Sequence, residues 1–333
     1  MKKYVGSIVI GLVLIGLLVL GISAGRAYTT PLAPPLSLQG AQATATTAPQ
    51  APTVCGESGT MTVMILGSDQ REQYWPPGAD LTRVMKVDFS NKKITVYAFP
   101  RDLWADVKSL NFANPDVKES TVGKTFWEAH KRTQTTYERE RLLAGTTASG
   151  QMLLDNFGVS SEHYVTIRLE KLPEMIDAIG GIEINVPYEL KWTDPQTNVT
   201  TTFAPGVQTM SGEQVMIYAR AIPDSDWARI QRNNVLLDAL RTKLLQPATW
   251  AKIPDLFRRY TTDIADQNLR DVIVTDLTPE QIVNFACLLK EVERKDILLD
   301  NVKPEWTSPG PDGSLFWDKD KVQARLRELQ LIP

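Results

Sequence analysis

The stretch "GADLTRVMKVDFSNKKITVYAFPRD", residues 78–102, reads as two strands joined by a polar turn. Arg83–Phe89 and Ile94–Phe99 are rich in β-formers, and "SNKK" (90–93) between them has turn chemistry, so the segment predicts a hairpin. Centring the turn on Asn91–Lys92 pairs Arg83 with Pro100. That register brings Asp80 close to Arg101 and Asp102 at the open end. Met61–Leu66 reads as a further, buried strand ending in Gly67-Ser68-Asp69. If it runs parallel to Ile94–Phe99, Asp69 reaches the same edge, and ligands of α/β sheets gather beyond the carboxyl ends of such strands.

A second stretch, "YARAIPDSDWARIQRNN" (218–234), supplies the opposite charge. On helical spacing from Asp226, an apolar arc collects Ile230, Leu236, Leu237, Ala239 and Leu240. Arg229 and Arg232 fall inside that arc, whereas Gln231, Asn234, Asp238 and Arg241 fall opposite. A guanidinium on an apolar face calls for an anion. Two partners are open: the carboxylates of Asp69, Asp80 and Asp102, or a bound diphosphate. Two carboxylates can hold a hard cation through oxygen, and arginines clamp phosphate oxygens with a forked geometry. Together they suit phosphoryl transfer, where positioning and charge neutralisation carry the catalysis.

Elsewhere, "MLLDNFG" predicts a helix stopped by Gly158, followed by the strand "HYVTIRL". Residues 170–179 predict a helix stopped by Gly180-Gly181, then the strand "IEINVP". Ser211 and Gln214 form a capping-box pattern before "GEQVMIYAR", and further helices are expected at 249–259, 278–293 and 319–329. Mixed strands and helices predict one α/β or α+β domain of three layers, helix-sheet-helix, with a partly antiparallel central sheet. Ser68 beside Asp69 would be a nucleophile only with a histidine base, and no such pairing is evident.

The chain has 333 residues, a formal net charge of −3, two histidines and two cysteines. That charge argues against a general grip on nucleic acid, and the spacing of cysteines and histidines excludes a zinc-ligand pattern. Met1–Lys3 precedes the uncharged apolar run Tyr4–Ser23, whose length suits one membrane-spanning helix. The leading lysines predict a cell-membrane protein with its N-terminus inside and its main domain outside. A cleaved signal peptide is the alternative. Residues 27–58 are rich in Pro, Ala, Thr and Gln and read as an extended linker. Residues 59–246 form the expected domain, and 247–333 are expected to be a helical extension packed on it. Cys55 and Cys287 are either paired or two separate thiols.

The motifs "MILGSDQR", "GADLTRVMKVDFSNKKITVYAFPRD", "DAIGGIEINVPYEL", "FAPGVQTMSGEQVMIYAR" and "DSDWARIQRNN", in this order, resemble the LytR-CpsA-Psr family of cell-envelope proteins. The resemblance spans roughly residues 60 to 245. It implies a Mg²⁺-dependent phosphotransferase that moves a glycopolymer from a polyprenyl-diphosphate carrier onto peptidoglycan or another wall acceptor. In that role Asp69 and Asp80 hold Mg²⁺, and Arg101, Arg220, Arg229 and Arg232 grip the diphosphate. Asp102 is a supporting or base-like group, completing a catalytic set of Asp69, Asp80, Arg101 and Asp102. The lipid tail is expected in an apolar slot between sheet and helices.

The sequence departs from the family pattern at three positions. Gly78 stands where many members carry arginine, Ile222 where the pattern reads Arg-x-Arg, and Leu81 where threonine often follows the second aspartate. Arg71, Arg83 or Lys124 are candidate substitutes for the missing charges. The departures motivate a second reading, a non-catalytic binder of polyprenyl-diphosphate lipid. A third, transcriptional attenuation, fits poorly with an outside domain lacking positive charge.

Overall fold

The computed structural model describes residues 31, 33–40, 56–69, 78–112, 118–135, 137–194, 198–221, 226–250, 252 and 272–333. Its strands are β1 (Thr60–Asp69), β2 (Gly78–Asp88), β3 (Lys93–Phe99), β4 (Trp104–Asp106), β5 (Glu119–Thr121), β6 (His163–Arg168) and β7 (Ile182–Val186). There follow β8 (Leu190–Thr193), β9 (Thr200–Phe203), β10 (Gly206–Met210), β11 (Ile273–Thr275), β12 (Ile297–Asn301), β13 (Thr307–Pro309) and β14 (Leu315–Trp317). The helices are α1 (Val122–Arg132), α2 (Glu138–Phe157), α3 (Leu172–Ala178), α4 (Gly212–Arg220), α5 (Asp226–Leu244), α6 (Pro247–Trp250), α7 (Pro279–Glu291) and α8 (Lys319–Glu328).

Six strands form a mixed sheet in the order β11-β6-β1-β2-β3-β12. Side chains alternate across a strand. Along β1, Val63 and Ile65 join one apolar cluster while Met64 and Leu66 join another. The first cluster packs against α3, α4, α5 and α7 through residues such as Ile176, Val215, Leu237 and Phe285. The second packs against α1, α2 and α8 through Phe126, Phe157 and Leu326. Helices thus cover both faces of the sheet, which is the expected three-layer arrangement.

Local signals set several element ends as expected. Gly158 ends α2 at φ 78°, and its N–H bonds to Leu154 O. Ser211 and Gln214 close a reciprocal capping box on α4, and Thr278 with Gln281 does the same for α7.

The hairpin forms, but its register differs by two residues from the expected one: Arg83 lies opposite Ala98, not Pro100. The loop is Phe89–Lys92, one residue earlier than expected. Asp88 sets it by accepting hydrogen bonds from the Asn91 backbone (2.9 Å) and side chain (2.8 Å), and Lys92 closes it at φ 52°. A shift of two keeps every side chain on its expected face. Between β1 and β2 the ladder slips at Gly67/Ser68: Gly67 pairs with Leu81 and Ser68 with Ala79, leaving Asp80 as the extra residue of a bulge.

Two expected boundaries need correction. Residues 272–333 are not only a helical extension, because β11 and β12 form the two edge strands of the central sheet. Edge strands far along the chain leave little local signal, being short and set by pairing. The expected linker of residues 27–58 is likewise not wholly a free tether. Ala33 is buried, Tyr164 donates to Pro34 O at 3.0 Å, and Gln39 exchanges hydrogen bonds of 2.8 and 3.1 Å with the Gln151 side chain. Gly150 makes room for this strap, since a Cβ there would lie 3.2 Å from Leu36 and 3.3 Å from Leu38.

The expected membrane span of residues 4–23 lies outside the described residues, among which no helix is long and apolar enough to cross a membrane. Most of the helix expected at 249–259 also lies outside them. Cys287 is disulfide-bonded, and Cys55 lies outside the described residues.

Candidate functional site

The bulge and the two strand ends deliver the acidic groups. Asp69, the last residue of β1, is nearly buried, and its Oδ2 lies 2.9 Å from Nη1 of Arg220, the last residue of α4. Asp80 protrudes at the bulge, a device that re-aims a side chain. Its carboxylate accepts a hydrogen bond from Arg101 Nη1 in the turn after β3. Arg101 Nε also lies 3.5 Å from Asp102 Oδ1.

Helix α5 closes the site. Arg229 and Arg232 are both buried, as their place on the apolar arc predicts. Their roles differ. Arg229 lines two adjoining cavities, whereas Arg232 lines neither and donates to the backbone carbonyl of Ala221 at the end of α4. Asn234 is also buried, not solvent-facing as expected, because its Oδ1 accepts from Arg83 Nη1 at 3.1 Å.

The larger cavity, about 700 Å³ with its opening to solvent included, is walled mainly by apolar side chains, among them Leu66, Ile167, Leu172, Met216 and Leu237, with Asp80, Arg220 and Arg229 also lining it. The smaller, about 310 Å³ measured the same way, is lined by Asp80, Thr82, Arg83, Arg101, Arg229 and Asn233 among others. Asp80, Leu81, Arg229 and Asn233 belong to both, so the two spaces meet at a charged junction. At that junction Asp80 meets Arg101, and Arg83, Arg220 and Arg229 line one or both cavities, while Asp69 lines neither and reaches the site through its pairing with Arg220. Guanidinium groups outnumber carboxylates there among the described residues.

Of the residues expected to act together, Asp80, Arg101, Arg220 and Arg229 line the cavities, and Asp69 joins them only by pairing with Arg220. Asp102 sits partly exposed beside Arg101 and lines neither cavity. Arg232 holds backbone. Arg71 lies outside the described residues, and Lys124 lines neither cavity. Arg83, the third candidate substitute for the missing charges, does line the smaller cavity, whereas Thr82 and Asn233 were not among the expected site residues. A signal for Arg83 existed: it shares its strand face with Met85 and Val87, a parity that points it at the core.

Ser68 is buried, and its hydroxyl reaches only Ile167 O at 3.4 Å. Both histidines are engaged elsewhere, His130 with Glu138 and His163 with Asp276 and Gln281. A serine triad is therefore absent among the described residues. Burial pushes the Tyr218 phenol of α4 up to about 12, so it is neutral at physiological pH and unsuited to act as a base. No group of three or more His, Cys, Asp or Glu among the described residues could hold a metal. Asp69 and Asp80 offer carboxylate oxygens, the donor type a hard cation takes, and each is paired with an arginine, Arg220 and Arg101 respectively.

A family model described as the LytR_cpsA_psr family matches residues 36–325. The chain belongs to that family. Biofilm regulatory protein A of Streptococcus mutans is 22% identical over 237 residues, 68% of this chain and 52% of that protein. The polyisoprenyl-teichoic acid–peptidoglycan teichoic acid transferase TagV of Bacillus subtilis is 23% identical over 185 residues, 53% of this chain and 45% of that protein. The chain thus spans about half the length of these relatives. The crystal structure of B. subtilis TagV superposes with a TM-score of 0.59 at 16% identity, covering 83% of this chain and 99% of that one. Identity at that level speaks for the fold alone: a mixed α/β domain on a mixed central sheet. Names in the family include both transferases and regulators, and the matched span extends past residue 246 into the strands that complete the sheet.

Proposed function

We propose that this protein is a phosphotransferase that moves a glycopolymer from a polyprenyl-diphosphate carrier to a cell-wall sugar hydroxyl. The observation that carries this reading is the junction of an apolar cavity with a polar, arginine-rich one at Asp80 and Arg229. A long apolar chain ending in a diphosphate matches that junction, with its tail against Leu172 and Leu237 and its headgroup against Arg101, Arg220 and Arg229. Membership of a family that includes a named teichoic acid transferase supports the same reaction class.

In this reading the acceptor hydroxyl oxygen attacks the phosphorus bonded to the glycopolymer. The bond from that phosphorus to the bridging oxygen breaks, polyprenyl phosphate leaves, and the hydroxyl proton passes to a carboxylate. Asp102, at the rim beside Arg101, is assigned that proton. The arginines offset charge as it shifts to the leaving phosphate, an effect that is strong where water is excluded. Asp69 and Asp80 supply oxygen ligands for Mg²⁺, which when bound neutralises phosphate charge. The apolar run at residues 4–23 is assigned as a membrane anchor with the domain outside, which places the site near its lipid substrate.

The test is incubation of the full chain with a polyprenyl-diphosphate oligosaccharide, Mg²⁺ and peptidoglycan fragments, followed by detection of polyprenyl phosphate. Release dependent on acceptor and metal supports the transferase. Tight lipid capture without release supports the non-catalytic binder, a reading favoured by the glycine at position 78. Neither capture nor release would sink both.

A further inference from the structure

Arg83 sits on the core-facing side of β2 between Leu81 and Met85, where an apolar residue is the rule. It is 3% exposed, and its hydrogen bond is a single one, from Nη1 to the neutral Asn234 Oδ1. No carboxylate among the described residues pairs with it, in contrast to Arg101 and Arg220. A guanidinium has five N–H donors, so most of its donor capacity is unspent. Burial lowers its pKa to about 10, the mark of a charge taken from water without a counter-charge. Such a charge costs free energy until an anion meets it.

The side chain also lines the smaller cavity. On the same wall the Thr82 hydroxyl is buried without a hydrogen-bond partner. A donor-rich cation and an unused hydroxyl thus border one space, which opens beside Arg101 and Arg229. Phosphoryl oxygens accept from both kinds of group.

We propose that Arg83 and Thr82 form an inner oxyanion subsite that takes one phosphoryl group of a diphosphate whose other phosphoryl group lies against Arg220 and Arg229. The inference rests on the headgroup reading above and deepens it. It makes the ligand a diphosphate in preference to a monophosphate, since the two ends of the junction hold separate guanidinium groups.

Calorimetric titration of the full chain in detergent with inorganic pyrophosphate, and separately with inorganic phosphate, tests it. Arg83→Met is expected to weaken pyrophosphate binding about tenfold or more, the size of one lost charge-assisted hydrogen bond. Phosphate binding at the outer arginines should change little. The melting temperature without ligand should hold or rise, because an uncompensated buried charge is removed. Arg83→Lys keeps the charge and loses the fork. It should weaken pyrophosphate severalfold, and it supplies the same comparison if Arg83→Met does not fold. A lowered melting temperature with unchanged pyrophosphate affinity overturns the proposal and leaves Arg83 a structural partner of Asn234. Arg229→Ala separates the two readings: if it weakens pyrophosphate while both Arg83 variants do not, only the inner subsite fails. If the unaltered chain binds no pyrophosphate, the subsite and the headgroup reading fail together.

Discussion

Gly78 and Gly123 touch backbone to backbone: a Cβ on Gly78 would lie 2.5 Å from the Gly123 carbonyl oxygen. The Gly123 N–H in turn donates to Arg101 O at 2.8 Å. The start of α1 is therefore pressed against both the bulged end of β2 and the turn that carries Arg101. The family pattern places an arginine where Gly78 stands, and this packing leaves no room for one. What reads in the sequence as a missing charge is, in the fold, a close contact that holds Asp80 and Arg101 together.

Gly78→Arg is accordingly expected to destabilise, by about 1–3 kcal/mol as overpacked sites do, and to bring no gain in turnover. Urea unfolding monitored by circular dichroism measures the first part. An unchanged midpoint would mean that α1 shifts freely, and the contact would then not explain the glycine.

Asp80→Ala removes the bulge carboxylate from the junction of the two cavities. Polyprenyl phosphate release should fall about a hundredfold or more, the usual cost of losing an electrostatic group at a reacting centre, and its response to Mg²⁺ should disappear. The fold should survive, as read from the melting curve. Turnover equal to that of the unaltered chain would remove Asp80 from the mechanism.

Asp300 provides a pH dependence away from the site. Burial pushes its carboxyl up, but hydrogen bonds from Lys303, Arg325 and the Asn301 backbone outweigh burial and leave its pKa below the ordinary 3.8. A depressed carboxyl contributes stability above its unfolded pKa, and that contribution is lost as pH falls through the folded one. The loss therefore falls below 3.8. Asp300→Asn should cost about 1 kcal/mol at neutral pH, because Lys303 and Arg325 are partly solvated and Arg325 keeps Glu328, and its melting temperature should fall less steeply below pH 3.8. Parallel melting curves for the two chains across that range would count against the assignment.

A chain ending at residue 246 should not unfold cooperatively. It lacks β11 and β12, which form the sheet edges, and apolar residues such as Ile282, Phe285, Val322 and Leu326 that complete both clusters. A sharp thermal transition in the truncated chain would restore the view of residues 247–333 as an appended unit.

At the other end, Gly150→Leu should displace the strap of residues 33–40 from α2, since even a Cβ reaches Leu36 and Leu38. Faster protease cleavage within the strap, with the core left intact, is the expected result. Equal cleavage in both chains would mean that the strap adjusts around the larger side chain.

Much of this molecule was legible from local pattern. The apolar run of β1, the β-forming residues of β3, the glycine after α2 and the capping box on α4 act through neighbours a few residues away, so they survive in a linear text. Placing Arg229 and Arg232 on an apolar arc foretold their burial, and the order of motifs pointed to the family. The two arginines could not be told apart that way: Arg229 meets a cavity, and Arg232 a backbone carbonyl eleven positions back.

The sequence alone determined that segments such as β1, β3, α2 and α4 would be strands or helices, that acidic and basic groups would gather at one sheet edge, and the family to which the chain belongs. Tertiary structure alone decided the two-residue register, the bulge at Asp80, the sheet edges drawn from the C-terminal segment and the pairing of Arg83 with Asn234. Periodicity and capping depend on neighbours along the chain. Register, bulges and the balancing of a buried charge depend on which distant residues pack against one another, and that is settled only once the sheet is assembled.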